Sequence, residues 1–216
     1  MLRLELPRGK DALRVLCLGA HADDIEIGCG GTLLRLAAER PLAVEWMIFS
    51  ATPVRAREAR RSAGLFLKGA SASRLVLRRF RDGFFPAQFG AIKQEFERRK
   101  RRGAPPDLVL SPWREDAHQD HRTVAELAWN TFRDHLILEY EIPKYDGDLG
   151  RPGLFVPLAE ETCRKKIDAL RRAFRSQKAR RWFRDDTFWS LLRLRGIESN
   201  SPTGFAEAFH CRKAVL

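Results

Sequence analysis

The sequence predicts an α/β protein whose mostly parallel sheet is flanked by helices. Short apolar runs alternate with longer segments of helical periodicity, and polar segments follow the ends of two of these runs. With 216 residues, the chain is long enough for one substantial core and short for two ordinary domains. We therefore predict a single domain over 1–216, with a motif-bearing core at 12–135 and a substrate-shaping extension at 136–216.

The first strand, loop and helix set the pattern. Arg14–Gly19 (RVLCLG) is a short apolar run that ends in glycine, which predicts a buried strand. The polar, glycine-bearing segment His21–Gly31 is predicted to be a loop, and Thr32–Glu39 has helical spacing. This order is typical of the opening of an α/β unit.

Three further units repeat the order of strand and helix. Their predicted elements cover Val44–Ser50 and Arg55–Leu67, Arg74–Phe80 and Gln88–Arg102, and Asp107–Ser111 and Asp120–Asp134. Strands and helices in series favour a parallel sheet, in which ligands bind beyond the carboxyl ends of the strands. The polar segments His21–Gly31 and Trp113–His121 both follow such ends.

The C-terminal part is harder to interpret. Residues 140–160 are rich in proline, glycine and tyrosine, which predicts an irregular stretch or a small hairpin. Thr162–Phe174 and Asp186–Arg195 are predicted to be helices, and Phe205–Val215 is a candidate final strand.

The net charge indicates which kinds of partner the protein could bind. The net charge is +12, from 40 lysines and arginines against 28 acidic residues. This balance suggests an acidic partner, such as nucleic acid, an anionic membrane face or a phosphorylated substrate. Plain solubility is the alternative, and the spread of arginines without a dense basic tail favours it. We therefore expect no nucleic-acid partner, and the sequence leaves a homo-oligomer open.

Cysteine usage and hydropathy indicate the compartment. None of the four cysteines forms a CxxC pair, which argues against a cysteine zinc site. Met1–Arg14 alternates charged and apolar residues, unlike a signal peptide. No apolar run approaches the roughly 18–20 residues that span a bilayer. We expect a cytoplasmic protein that does not span a membrane and keeps its thiols reduced.

Histidines and carboxylates in the two polar segments predict a metal site. A catalytic zinc ion usually takes three His, Asp or Glu ligands and keeps one position for water. His21 and Asp24 lie three residues apart, and His121 begins the helix after another strand. A parallel sheet can bring all three together, so we expect them to bind Zn²⁺. Fe²⁺ is an alternative, since two histidines and one carboxylate accept either ion.

Neighbouring residues offer the other catalytic groups. Asp23 can point into the same cavity without binding metal and act as a general base. His118, when protonated, can stabilise a developing oxyanion, and Asp120 can orient it and raise its pKa. The alternatives are structural: Asp23 could belong to a turn, and Asp120 could cap the following helix.

Two motifs resemble a known family. AHADDIEIGCGG at Ala20–Gly31 is similar to the AHPDDE motif, and HQDH at His118–His121 is similar to the HPDH motif, of the LmbE-like (PIG-L) family of zinc-dependent N-acetylglucosamine deacetylases. The resemblance covers roughly 12–135, and the tail Ala206–His210 more loosely. Two long motifs in the right order are a specific signal.

The resemblance implies a Rossmann-like fold with zinc in place of a dinucleotide. It implies these site roles: His21, Asp24 and His121 as ligands, Asp23 as general base, and His118 as oxyanion-stabilising residue with Asp120 as its partner. Ala22 and Gln119 stand where the family has proline. Losing a proline costs about 0.4–1 kcal/mol through the unfolded chain and removes no catalytic group.

Three further residues are candidates for substrate binding. Arg55 lies three residues before a glutamate, as in the family, and either binds substrate or belongs to a solvated helix face. Asp82 either contacts a sugar hydroxyl or makes a turn, and His210 either lies near the site mouth or is structural. Gly28–Gly31 does not match the dinucleotide pattern, so we assign its glycines to a tight turn and close helix packing.

These observations together predict removal of an acetyl group from an N-acetylated amino sugar, in a glycan or glycolipid precursor, a nucleotide-linked sugar or a small glycoside. In this hypothesis water activated by zinc attacks the amide carbonyl. The basic surface favours an anionic carrier on the substrate. The alternatives are a zinc amidase acting on a non-sugar conjugate and a non-enzymatic nucleic-acid-binding protein.

Overall fold

A computed structural model describes Leu6 and residues 11–215 of the chain. Most of Met1–Arg14, the segment predicted not to be a signal peptide, lies outside the described residues. Seven strands form one sheet in the order β3-β2-β1-β4-β5-β7-β6. They are β1 (Leu13–Gly19), β2 (Leu42–Ile48), β3 (Ala72–Leu77), β4 (Leu108–Pro112), β5 (Leu136–Tyr140), β6 (Leu154–Pro157) and β7 (Ala206–Cys211).

Five strands, β1 to β5, pair in parallel, and β7 runs antiparallel to both β5 and β6. The predicted fold class, a mostly parallel sheet flanked by helices, is therefore confirmed. The helices are α1 (Asp24–Glu39), α2 (Pro53–Phe66), α3 (Phe89–Arg102), α4 (Gln119–Thr131), α5 (Glu160–Ala173) and α6 (Asp185–Glu198). Among the described residues, no helix is long and apolar enough to cross a membrane.

The central strands β1 and β4 are buried on both faces, which explains their apolar runs. Alternate residues of β1 enter two different apolar clusters, because side chains of a strand alternate between faces. Val15 and Cys17 pack with α1, α2, α5 and α6. Leu16 and Leu18 pack with α3 and α4 on the other face.

The strand order creates a crevice at the carboxyl end of the sheet. From β1 the chain proceeds outward to β2 and β3, then returns to place β4 on the other side of β1. The connections after β1 and β4 therefore diverge to opposite faces. Ligands of open α/β sheets bind at such a switch point.

The structure differs from the sequence analysis at three places. α1 begins at Asp24, so most of the predicted loop His21–Gly31 is helical, and its acidic first turn complements the helix dipole. The glycines serve close packing: a Cβ on Gly28 would overlap the ring of Tyr140. β5 was not predicted, and β6 pairs with the distant β7 rather than forming a local hairpin.

Candidate active site and metal centre

The two motifs meet at the carboxyl ends of β1 and β4. His21 lies in the short connection after β1, and Asp24 opens α1. His118 caps the N-terminus of α4, where its side chain accepts a hydrogen bond from the backbone amide of Asp120, and His121 lies in the first turn. Because β1 and β4 are neighbours, both helix N-termini point at the same crevice.

Three donor atoms converge there: His21 Nδ1, Asp24 Oδ2 and His121 Nε2. The distances between them are 3.1 Å for the two histidine nitrogens, 3.6 Å from His21 to Asp24 and 3.4 Å from His121 to Asp24. Donors about 2.0–2.2 Å from a tetrahedral zinc ion lie roughly 3.3–3.5 Å apart. The geometry of the donor set therefore fits zinc.

The protonation of these groups without metal also fits a cation site. Burial opposes charge on Asp24, but the charges of His121 and His21 hold its pKa well below the usual range. Burial likewise opposes charge on both histidines, yet Asp24 raises the pKa of His21 well above its usual value and that of His121 to about 9. A bound dication would replace these protons, so metal affinity should decrease as the pH is lowered.

Asp23 lies beside the ligand set but makes a different contact. It occupies the N-cap position of α1, yet its carboxylate does not cap the helix. Its Oδ1 lies 2.7 Å from Arg55 Nη2, and Arg55 Nη1 also pairs with Glu58 at 2.8 Å. Burial raises the pKa of Asp23, and the Arg55 guanidinium opposes that rise. Arg55 thus positions an anionic carboxylate outside the ligand set.

His118 is predicted to stabilise an oxyanion when protonated, and its surroundings in the structure act on its pKa. Burial and the nearby histidines lower its pKa, and this outweighs the opposing charge of Asp120. Its Nδ1 accepts the amide of Asp120 at 3.2 Å, which places the proton of a neutral ring on Nε2. The ring packs against His121 with centroids 4.7 Å apart. A neutral His118 can therefore still donate one hydrogen bond into the crevice.

Asp120 contacts the His118 ring through its backbone amide, while its carboxylate has other partners. Its carboxylate accepts the amides of Gly83 at 2.7 Å and Phe85 at 3.1 Å, and lies 3.3 Å from His21 Nε2. Only its backbone amide meets His118. Asp120 thus fixes the loop after β3 and the outer edge of the His21 ring, because a fully buried carboxylate needs several donors.

The three predicted substrate-binding residues occupy different positions. The exposed Asp82 lies 3.0 Å from His21 Nε2, a contact that lowers its pKa. Arg55 belongs to the site because its side chain pairs with Asp23. His210 lies on β7 and stacks on Trp113 with centroids 4.3 Å apart. The crevice therefore brings Asp82 and Arg55 together with the metal donors, while His210 contacts Trp113.

Sequence reasoning missed Asp116, which supports a ligand. Asp116 Oδ2 accepts His121 Nδ1 at 2.9 Å and Lys144 Nζ at 2.9 Å, while Oδ1 accepts the backbone amide of His118 at 2.8 Å. A ligating histidine usually donates its other ring nitrogen to a carboxylate in this way. The position of Asp116, two residues before His118, was the available signal in the sequence. Lys144, which also binds Asp148 at 2.5 Å, has no such signal.

Comparisons with known proteins agree with this arrangement. The family described as "PIG-L: GlcNAc-PI de-N-acetylase" matches residues 16–132, which include both motifs. No curated protein has detectable sequence similarity to the chain.

Three solved structures share the fold. A conserved protein from Thermus thermophilus superposes with a TM-score of 0.73 at 23% identity, over 94% of this chain and 96% of that one. The N,N'-diacetylchitobiose deacetylase of Pyrococcus horikoshii gives 0.68 at 21%, over 94% and 84%. The zinc-inhibited form of the teicoplanin deacetylase Orf2 gives 0.71 at 14%, over 92% and 97%.

Proposed function

Because the chain belongs to the PIG-L (GlcNAc-PI de-N-acetylase) family, we propose that it is a zinc-dependent hydrolase that removes the acetyl group from an N-acetylated amino sugar. One observation carries this proposal. His21, Asp24 and His121 converge within zinc-binding distance, with the carboxylate of Asp23 and the Nε2–H of His118 beside them.

His21, Asp24 and His121 would hold the zinc ion. When bound, zinc supplies Lewis acidity, which lowers the pKa of a water molecule and polarises the amide carbonyl. Asp23 takes the proton of the attacking water and later gives it to the leaving amine. Arg55 keeps Asp23 ionised and aimed at the crevice.

His118 acts on the carbonyl side. Its Nε2–H donates a hydrogen bond to the oxygen that becomes negative as the carbonyl carbon turns tetrahedral. The neutral ring needs no proton from solvent, because its Nδ1 is held by the amide of Asp120. Asp120 and Asp116 position the ligands His21 and His121 from behind.

Substrate contacts are assigned to the crevice wall. Asp82, which is exposed, accepts a sugar hydroxyl, and Arg55 uses its remaining donors on the sugar or its substituents. His210 on β7 and Trp113, just after β4, form a flat stacked pair. The extension at 136–216 shapes the site through its loop at 141–150, where Lys144 and Asp148 bind Asp116 and the backbone amide of Ala117, just before the second motif.

The substrate class rests on chemistry and on the similar proteins. Two of them are named as deacetylases of diacetylchitobiose and of teicoplanin, both sugar-bearing molecules. The net charge of +12 favours a substrate with an anionic carrier. We place the enzyme in the cytoplasm, as its free cysteines suggest.

The test combines metal content with acetate release. Purified wild type should hold about one zinc ion per chain and release acetate from simple N-acetylglucosamine glycosides. Asp24→Ala should lose both metal and activity, while Asp23→Ala should keep the metal and lose turnover. Asp186→Asn, on the exposed start of α6, serves as a carboxylate control. Turnover by Asp23→Ala near that of wild type would remove Asp23 from its role.

A substrate panel separates the rival functions. Acetate release from non-sugar acetamides but from no amino sugar would favour an amidase acting on another conjugate. Salt-sensitive binding of DNA or RNA that chelators do not change, in a chain without metal, would favour a nucleic-acid-binding protein.

A further inference from the structure

We propose that Arg195 on α6 is a positioning residue for the metal centre, and that it acts by closing the loop at 141–150. The closed loop holds Lys144 against Asp116, the carboxylate that accepts the other ring nitrogen of His121. The inference rests on the proposed function, since it requires His121 to be a zinc ligand.

A guanidinium fork joins the two ends of this loop. Arg195 Nε and Nη2 donate to the two carboxylate oxygens of Glu141, at 2.9 and 2.6 Å. Arg195 Nη2 also donates to the backbone oxygen of Gly150 at 3.1 Å, and the amide of Gly150 donates to Glu141 Oε1 at 3.1 Å. The first and last residues of the loop are thus bound to one side chain and to each other. Bidentate contacts of this kind fix orientation as well as distance.

The interior of the loop carries the groups that reach the region of the second motif. Lys144 Nζ donates to Asp116 Oδ2 at 2.9 Å, and Asp148 Oδ2 accepts the backbone amide of Ala117 at 2.7 Å. The structure describes all of 141–153 and shows no helix or strand there. Side-chain contacts, rather than a backbone ladder, therefore determine where Lys144 lies.

The far end of the loop packs directly against the segment that carries Asp116. A Cβ on Gly150 would lie 2.5 Å from the ring of Trp113 and 2.8 Å from the ring of His210, so only the bare backbone fits there. The carbonyl of Trp113 accepts the backbone amide of Asp116 at 3.2 Å. A displacement of Gly150 would therefore act on the support of His121 from this side as well.

The helix α6 holds the guanidinium in position. Arg195 lies in the last turn of α6, where its Nη1 pairs with Glu198 at 2.6 Å. Residues three apart share one face of a helix, so Glu198 holds the fork from the same side. The helix packs on β7, and β7 pairs with β5, the strand from which the loop leaves.

Burial of this ion pair adds little to stability on its own. The side chains of Arg195 and Glu141 are each 4% exposed. Desolvation of two buried charges offsets much of their attraction, and apolar side chains of similar volume are often as stable. Apolar groups would not supply a directional contact to both ends of a loop, whereas the planar guanidinium does. The geometry therefore assigns the pair to positioning.

The experiment measures zinc affinity by competition with a chelating indicator in the folded full chain. Arg195→Met removes the fork and should weaken zinc binding about tenfold, the lower end of the range for groups that support a ligand. Arg195→Lys keeps the charge without the planar fork and should recover part of this loss. Arg99→Met is the control, because Arg99 also pairs with a glutamate, Glu45, at 2.7 Å and is 8% exposed, but it joins α3 to β2. It should bind zinc as wild type does.

A double variant separates positioning from a general loss of stability. Lys144→Met alone should also weaken zinc binding about tenfold. If Arg195 acts through Lys144, adding Arg195→Met to that variant should weaken binding by less than about twofold more, whereas independent effects would multiply.

Each outcome bears on the proposal. Folded Arg195 variants within about twofold of the wild-type affinity, or losses that multiply with that of Lys144→Met, overturn the role of Arg195 and leave the deacetylase function standing. If Arg195→Met does not fold, Arg195→Lys decides by the same comparisons. A wild-type chain that binds zinc but releases no acetate from amino sugars contradicts the proposed function, while the affinities still decide the role of Arg195.

Discussion

Replacing Asp116 by Asn should weaken zinc binding without changing any ligand. Asp116 is 2% exposed and accepts three hydrogen bonds, from His121, Lys144 and the backbone amide of His118. Asparagine has the same shape but presents one acceptor and one donor group. Whichever way the amide turns, its NH₂ group faces at least one of these three donors.

The magnitude follows from the contact that is lost. With the amide oxygen toward His121, this neutral acceptor pairs less strongly with Lys144, and the NH₂ group faces the His118 amide; with the amide reversed, His121 loses its acceptor. Loss of such a supporting carboxylate typically lowers metal affinity by about 10–100-fold, or about 1.4–2.7 kcal/mol. Leaving a buried donor unpaired costs about 1–3 kcal/mol of folding stability as well.

The assay is competition for zinc between the folded variant and a chelating indicator at fixed pH, with folding checked by circular dichroism. Asp107→Asn is the control, because Asp107 also pairs with a cation, Arg14, but at the opposite end of β4. It should bind zinc as wild type does. An Asp116→Asn variant that is folded and within twofold of the wild-type affinity would refute the role given to Asp116.

Three other variants test the interior. Burial raises the pKa of Glu26 to about 8 from 4.5, so the folded state keeps a proton that the unfolded chain loses, and stability of the metal-free protein should fall as pH rises across this window. Glu26→Gln should flatten that slope in urea denaturation; an unchanged slope contradicts the assignment. Lys166→Met removes the ammonium that lies 2.6 Å from the buried Glu207 and should lower the free energy of unfolding by about 3–5 kcal/mol. A decrease below about 1 kcal/mol in urea titration would show that the ion pair is dispensable. Gly28→Ala should lower the melting temperature, through overpacking of about 1–3 kcal/mol, whereas Gly64→Ala, with open space around it, should raise it; equal shifts would contradict the packing argument.

The fold class could be predicted because its signal is local. A strand buried on both faces is a continuous apolar run, and β1, β2 and β4 each have one. The start of α1 could not be predicted, because the residues of Asp24–Gly31, which are helical, also resemble a glycine-rich loop. A residue distant in the sequence decides between helix and loop: Gly28 needs the space beside Tyr140, and no local pattern shows that neighbour.

The candidate site, like the fold, could be predicted only in part. The convergence of His21, Asp24 and His121 could be predicted, because metal donors must be of certain residue types and must follow strands that the topology makes neighbours. The partners of the Asp120 carboxylate could not be predicted, because its spacing from His118 suggests only a pair with that histidine. In the structure the loop after β3 brings Gly83 and Phe85 within reach, and two amide donors hold the carboxylate there.

The C-terminal part is therefore a structural part of the site rather than an appendage. The family match ends at residue 132, yet Lys144 binds the carboxylate that orients His121. On β7, Glu207 accepts the amides of Gly31 and Thr32 within α1, the helix that carries Asp24. Both metal-binding motifs are thus held from behind by residues beyond the match. Motifs alone indicate the candidate ligands, but the precision of their placement depends on side chains whose positions only the folded chain determines.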